Sequence, residues 1–99
     1  MAYILEITSA ALRQAKKLPK NVRQAIVQKS EGLSKNPLIG EKLRGKYSFL
    51  RSFHFSFKGT QYRVIYETDH RLKKIYVRLV DSRENLYRNL DKMKLKPLS

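Results

Sequence analysis

Residues 52–67 read Ser-Phe-His-Phe-Ser-Phe-Lys-Gly-Thr-Gln-Tyr-Arg-Val-Ile-Tyr-Glu, two patterned runs on either side of a glycine. In the first run Phe53, Phe55 and Phe57 alternate with Ser52, His54, Ser56 and Lys58, the period of a strand with one buried face. The second run, Gln61 to Glu67, is rich in Tyr, Val and Ile and reads as the returning strand, with Gly59 and Thr60 as a two-residue turn. In that register Phe57 faces Tyr62, Ser56 faces Arg63 and His54 faces Ile65. Phe53, Phe55, Phe57, Tyr62, Val64 and Tyr66 then share the core face, while His54 and Arg63 share the other. A three-residue turn instead separates His54 from Arg63.

Working outward, residues 74–80 form a third strand with Ile75, Val77 and Leu79 on one side, which completes an antiparallel meander. Asp81 and Glu84 have capping-box spacing ahead of a closing helix marked by Leu86, Leu90 and Met93, and the tail from Lys94 to Ser99 is expected to fray. Upstream, residues 2–7 read as a short strand with Tyr3, Leu5 and Ile7 on one face, followed by Thr8 and Ser9 as N-cap candidates. Ala11, Leu12, Ala15 and Leu18 mark a first helix stopped by Pro19; Val22, Ala25, Ile26, Lys29 and Leu33 mark a second, closed by Asn36 and Pro37. The link at Pro19 is short, so the helices are expected to pack as an antiparallel hairpin. The pattern predicts an α+β fold: two N-terminal helices on one face of a small, mainly antiparallel sheet, with a short C-terminal helix, all in one domain over residues 1–99.

The 99 residues carry a formal net charge of +14 and are 41% hydrophobic, which excludes a disordered basic tail and suffices for one core. Cysteine is absent, so a disulfide framework, a zinc ribbon and a thiol nucleophile are excluded, and a cytoplasmic location is the default. No apolar run approaches the ~20 residues that span a bilayer, and the first eight residues lack a signal-peptide pattern, so no membrane association is expected. The positive charge calls for an anionic partner, and nucleic acid, an acidic protein or an anionic surface all qualify.

Between Lys42 and Tyr66 there are Lys42, Arg44, Lys46, Arg51, Lys58 and Arg63, one histidine and no carboxylate. Cations interleaved with aromatics suit single-stranded or unstacked RNA, and Arg44, Lys46, Arg51, Lys58 and, on the third strand, Arg78 are the candidate RNA-binding residues. The acid-free stretch offers no ligands for a metal ion, no Gly-rich phosphate loop is present, and neither a metal nor a cofactor is expected. Metal-free phosphodiester transfer stays open, because in RNA the neighbouring 2′-hydroxyl is the nucleophile and the protein need only align it, stabilise charge on phosphorus and move protons. Arginines suit the second task and His54 the third. Arg83 and Tyr87, four apart at the start of the closing helix, share one helix face. His70, between Asp69 and Arg71, reads as an exposed turn residue.

Leu18-Pro19, Asn36-Pro37, Lys42-Leu43-Arg44-Gly45, Gln61-Tyr62-Arg63-Val64-Ile65-Tyr66 and Leu79-Val80-Asp81-Ser82-Arg83-Glu84-Asn85-Leu86-Tyr87 follow one another over nearly the whole chain. In that order they resemble the RelE/ParE superfamily of bacterial toxins from toxin–antitoxin pairs, on the RelE-like branch. The resemblance implies a small α+β endoribonuclease that works without metal, enters the ribosomal A site and cuts mRNA. It also implies an acidic, RelB-like antitoxin that wraps the basic surface in a hetero-oligomer. Carried onto this sequence, Arg63 steadies the transition-state phosphate, Arg83 serves the leaving 5′-oxygen and Tyr87 orients or stacks on the nucleotide. RelE carries two lysines nine and seven positions before the corresponding arginine, and those places here hold His54 and Ser56. His54 is therefore the candidate general base, with Glu67 as the alternative, and the second of the two positions is empty unless a bulge brings Arg51 into it. A ParE-like inhibitor of DNA gyrase without nuclease activity and a non-toxic basic nucleic-acid-binding module are the competing readings.

Overall fold

The computed structural model describes residues 2–98, apart from the side chains of Tyr87 and Asn89. Its elements are β1 (Ile4–Ile7), α1 (Ser9–Lys16), α2 (Lys20–Lys35), β2 (Glu41–Lys42), a 3₁₀ turn (Gly45–Tyr47), β3 (Leu50–Phe57), β4 (Thr60–Asp69), β5 (Lys74–Ser82) and α3 (Arg83–Met93). The five strands form one sheet in the order β1-β5-β4-β3-β2, with β1 parallel to β5 and the other pairs antiparallel.

The central hairpin turns at Lys58 and Gly59, whose φ angles of 50° and 82° are those of a type I′ turn. Phe57 therefore pairs with Thr60 and His54 with Arg63. The turn lies one residue earlier than the sequence suggests, which displaces the pairing by two residues. Because the pleat repeats every two residues, an even displacement changes partners and preserves faces. Phe53, Phe55, Tyr62, Val64 and Tyr66 accordingly lie in one core with Ala11 of α1 and Val22, Ala25, Ile26 and Leu33 of α2, and Phe57 packs at its margin. Lys29 is exposed and Ser30 takes the inward position on α2.

β5 departs from simple alternation. Tyr66 pairs with Val77 but Ile65 pairs with Leu79, leaving Arg78 as the extra residue of a bulge. Ile75, Val77 and Val80 consequently face the helices, whereas Leu79 faces the opposite side, contrary to the one-sided expectation. On that opposite side Leu79 joins Leu50, Ile65, Leu86 and Leu90 in a second core beneath α3. The face expected to be polar is thus apolar under α3 and polar only beyond it.

Thr8 caps α1 as expected, its Oγ1 accepting from the Ala11 N–H at 3.3 Å. The backbone and hydroxyl of Thr8 both donate to Val77 O at 3.0 Å, and Gln14 Oε1 accepts from Val80 N at 3.0 Å, so α1 covers the β5 edge where β1 ends. Ala11 of α1 and Val22, Ala25 and Ile26 of α2 share one core. An apolar groove of about 270 Å³ opens between the two helices, with Val77 and Val80 of the sheet in its lining.

Tyr66 fastens the chain between α2 and β2. Its hydroxyl donates to Pro37 O at 2.7 Å and accepts from Gly40 N at 2.9 Å. A Cβ on Gly40 would lie 2.7 Å from that hydroxyl oxygen and 2.9 Å from Ser52 O, so only glycine allows the approach. Burial pushes the Tyr66 phenol above its ordinary 10.0, against the opposing pull of the Gly40 N–H and the Arg51 charge. A phenol that keeps its proton more tightly folded than unfolded contributes stability that is whole below pH 10.0 and is lost as pH rises through the folded value. Urea unfolding at successive pH values should therefore show alkaline destabilisation that is smaller in Tyr66→Phe, and Gly40→Ala should cost ~1–3 kcal/mol by overpacking.

Candidate active site

At the hairpin end of the sheet three adjacent strands place one residue each in a row on the face that carries α3. His54 on β3 is the cross-strand partner of Arg63 on β4, and Arg63 is in turn the partner of Asp81 on β5. Neighbouring strands lie ~4.8 Å apart, so the row spans roughly 10 Å. His54 is exposed and Arg63 half-buried. β5 runs into α3 without a loop: Ser82 is the N-cap and Arg83 the first helical residue, exposed beside the row. Arg83, Ser82 and Glu84 line a cleft of about 450 Å³ whose other wall is Gly59, Thr60 and Gln61 at the hairpin tip. A helix N-terminus with an arginine in its first turn favours an anion, and Glu84 in the same turn opposes it in part. Tyr87 follows one turn later in α3; its side chain lies outside the described residues.

Asp81 is the site residue that sequence reasoning placed elsewhere. It is the last but one residue of β5, its Oδ1 accepts from Ser82 N at 2.7 Å, and α3 has no side-chain cap bond at Ser82, so the expected capping box is not formed. Only the β4–β5 register, offset by the bulge, reveals that a carboxylate stands next to Arg63.

Two other candidates are withdrawn from the surface. Arg78 is 7% exposed and Glu67 3%, and the two form an ion pair through Arg78 Nη1 and Glu67 Oε1. Arg78 Nη1 also donates to Lys96 O at 2.9 Å, and Leu98 N donates to Glu67 Oε2 at 2.9 Å. This corrects three expectations. Arg78 is an internal cation where an exposed RNA-binding residue was expected; Glu67 is buried and committed to that pair; and residues 95–98, far from fraying, are tied to the sheet, with Leu95 against the second core. The bulge explains the first, since it turns the extra residue of β5 toward Glu67.

The remaining basic residues are not gathered into one patch. Lys58 sits at the hairpin tip with its Nζ 5.7 Å from the Phe57 ring centre. Arg44 and Lys46 are exposed in the segment before β3, where Lys46 Nζ lies 3.9 Å from Asp91 of α3. Arg51 is half-buried and donates to Gly40 O at 2.7 Å, on the helix side of the sheet, and no bulge carries it to His54. His70 is exposed as expected, with its Nδ1 2.8 Å from the Tyr3 hydroxyl.

A family model described as ParE-like toxin of type II bacterial toxin–antitoxin system matches residues 5–91. The chain belongs to that family. Toxin RelG of Mycobacterium tuberculosis is 32% identical to this toxin over 90 residues, covering 89% of it and 99% of RelG. A chain of the RelBE2 toxin–antitoxin complex of Mycobacterium tuberculosis superposes with a TM-score of 0.72 at 30% identity, over 84% of the toxin and all of that chain. A double arginine-to-alanine mutant of the Escherichia coli toxin RelE in the free state gives 0.75 at 26% identity, over 96% of the toxin and all of RelE. The RelE/ParE resemblance read from the sequence and the α+β fold it implied both hold.

The two kinds of arginine in the toxin should separate by stability. Arg78→Ala leaves the buried Glu67 carboxylate without its partner and should cost ~3–5 kcal/mol in urea unfolding, whereas Arg83→Ala, at an exposed position, should stay within ~0.5 kcal/mol of the parent.

Proposed function

We propose that this toxin is an endoribonuclease that cleaves mRNA in the ribosomal A site without a metal ion, and that an acidic cognate antitoxin neutralises it. The observation that carries the reading is the row His54–Arg63–Asp81 standing beside Arg83 on one sheet face. The names of its relatives, Toxin RelG and toxin RelE, support the toxin part of the reading, and the RelBE2 toxin–antitoxin complex supports the antitoxin part.

In this reading His54 takes the proton of a 2′-hydroxyl as its oxygen bonds to phosphorus. The P–O5′ bond breaks, giving a 2′,3′-cyclic phosphate, and the 5′-oxygen takes a proton from water. Arg63 holds the extra negative charge on the phosphoryl oxygens, and Arg83 hydrogen-bonds the leaving oxygen, since a guanidinium donates strongly without giving up its proton. Asp81 orients the Arg63 guanidinium from the next strand. Tyr87 is assigned to positioning the nucleotide.

With a net charge of +14, the toxin favours a partner that brings carboxylates to the face of Arg63 and Arg83. Ile7, Leu12 and Val27, exposed around the groove between α1 and α2, suit an apolar portion of the same antitoxin.

Primer extension on a reporter mRNA bound to ribosomes, with purified and folded variants, tests the assignment. Arg63→Ala and Arg83→Ala should slow cleavage by roughly 10²- to 10³-fold, the scale for a preorganised charge-stabilising donor. His54→Ala should slow it less. If both arginine variants cut as fast as the parent, the nuclease reading fails, and inhibition of gyrase supercoiling becomes the measurement to make.

A further inference from the structure

A second basic site lies on the other side of the sheet, at the end away from the Lys58-Gly59 turn. Lys42 and Arg51 are cross-strand partners on β2 and β3, and with Ser48, Phe49, Thr68 and His70 they line a pocket of about 190 Å³. That is about six waters' worth of liquid volume and below the ~300 Å³ at which sites for drug-sized ligands begin, so it suits one small ion with its hydration. The cations of Lys42 and Arg51 line it together with the His70 ring, and no carboxylate is in the lining. The nearest acids in sequence are otherwise placed. Glu41 lines a separate pocket with His54, Asp69 Oδ1 accepts from the Arg71 and Leu72 N–H groups, and Glu67 pairs with Arg78.

A second observation points to a ligand. The Thr68 hydroxyl is shut off from solvent and meets no hydrogen-bond partner, an arrangement that costs stability unless something satisfies it. Thr68 lines the pocket, and its hydroxyl is a donor that an anion held there would satisfy. His70 adds a further donor: when the Tyr3 hydroxyl donates to Nδ1, the proton of the neutral ring resides on Nε2.

We propose that this pocket is a phosphate-binding subsite that holds one backbone phosphodiester of bound RNA away from the reacting bond. The phosphate chemistry stands on the pocket alone, and RNA as its source rests on the function proposed above.

The test uses the full chain with two probes: inorganic phosphate, followed through the His70 ring resonances against chloride at equal ionic strength, and a 2′-O-methyl RNA oligonucleotide that cannot be cleaved, followed by fluorescence anisotropy. Phosphate should move the His70 resonances, and Lys42→Ala and Thr68→Val should each weaken both probes several-fold. Lys42→Ala should also reduce the log–log salt slope for RNA by ~0.7. Thr68→Val keeps the side chain's shape and removes an unsatisfied group, so its urea midpoint should hold or rise. Lys29→Ala, an equal charge change on the exposed side of α2, is the control. Unaltered phosphate binding in Thr68→Val, or an effect of Lys42→Ala no larger than that of Lys29→Ala, overturns the subsite and leaves nonspecific charge. Phosphate binding that survives with RNA affinity unchanged by both variants overturns RNA as the source. Because neither probe is cleaved, Arg63→Ala should leave the His70 response intact, which separates failure of this subsite from failure of the nuclease reading.

Discussion

The pairing of β3 with β4, set by the turn at Lys58 and Gly59, is the constraint on which both the core and the site depend. A type I′ turn needs positive φ at both central residues, and Gly59 supplies one without strain while Lys58, at 50°, adopts the left-handed region next to it. With the turn fixed there, Phe53, Phe55 and Tyr62 stack on one face with ring centres 6.2 and 5.7 Å apart, burying the hairpin against the helices. The same pairing puts His54 directly beside Arg63 on the other face. A slip of one residue would exchange core and site, so the energy of aromatic burial also enforces the position of the polar row.

The bulge at Arg78 extends this coupling to the third strand and to the C-terminus. The extra residue lets β5 place Val77 and Val80 in one core and Leu79 in the other, so one strand serves both faces. It also buries a guanidinium, which requires the Glu67 carboxylate, and that pair in turn holds residues 96 and 98 through their backbone groups. α3 is consequently secured at both ends. Its start continues β5 and carries Arg83. At its far end Met93 receives a contact from Gln14 Nε2 at 3.3 Å, Tyr47 donates to Asp91 at 2.8 Å, and the tail returns to the sheet.

What the sequence disclosed follows from the reach of its signals. Alternation at Phe53, Phe55 and Phe57 and the threefold and fourfold spacing in α2 are local and strong, and they placed the strands, the helices and the sidedness of His54 and Arg63. The order of short motifs through Tyr87 disclosed the family. Contributions that depend on pairing between distant segments were not legible. A bulge leaves no mark in a run such as Lys74 to Val80, so Leu79 and Arg78 were assigned to the wrong surroundings, and Asp81 read as a helix cap because its neighbour Arg63 is eighteen positions earlier. The two-residue β2 is too short to show a period, which hid the pairing of Lys42 with Arg51. Nothing around Gly40 in the sequence marks the close approach of the Tyr66 hydroxyl, twenty-six positions later.

The central claim is that the hairpin register makes His54 and Arg63 one catalytic unit. A double-mutant cycle in single-turnover mRNA cleavage, with His54→Ala, Arg63→Ala and the pair, measures this directly. Residues acting together on one phosphate should be non-additive, the double variant losing little more than Arg63→Ala alone. Independent losses that multiply in the double variant would contradict the account.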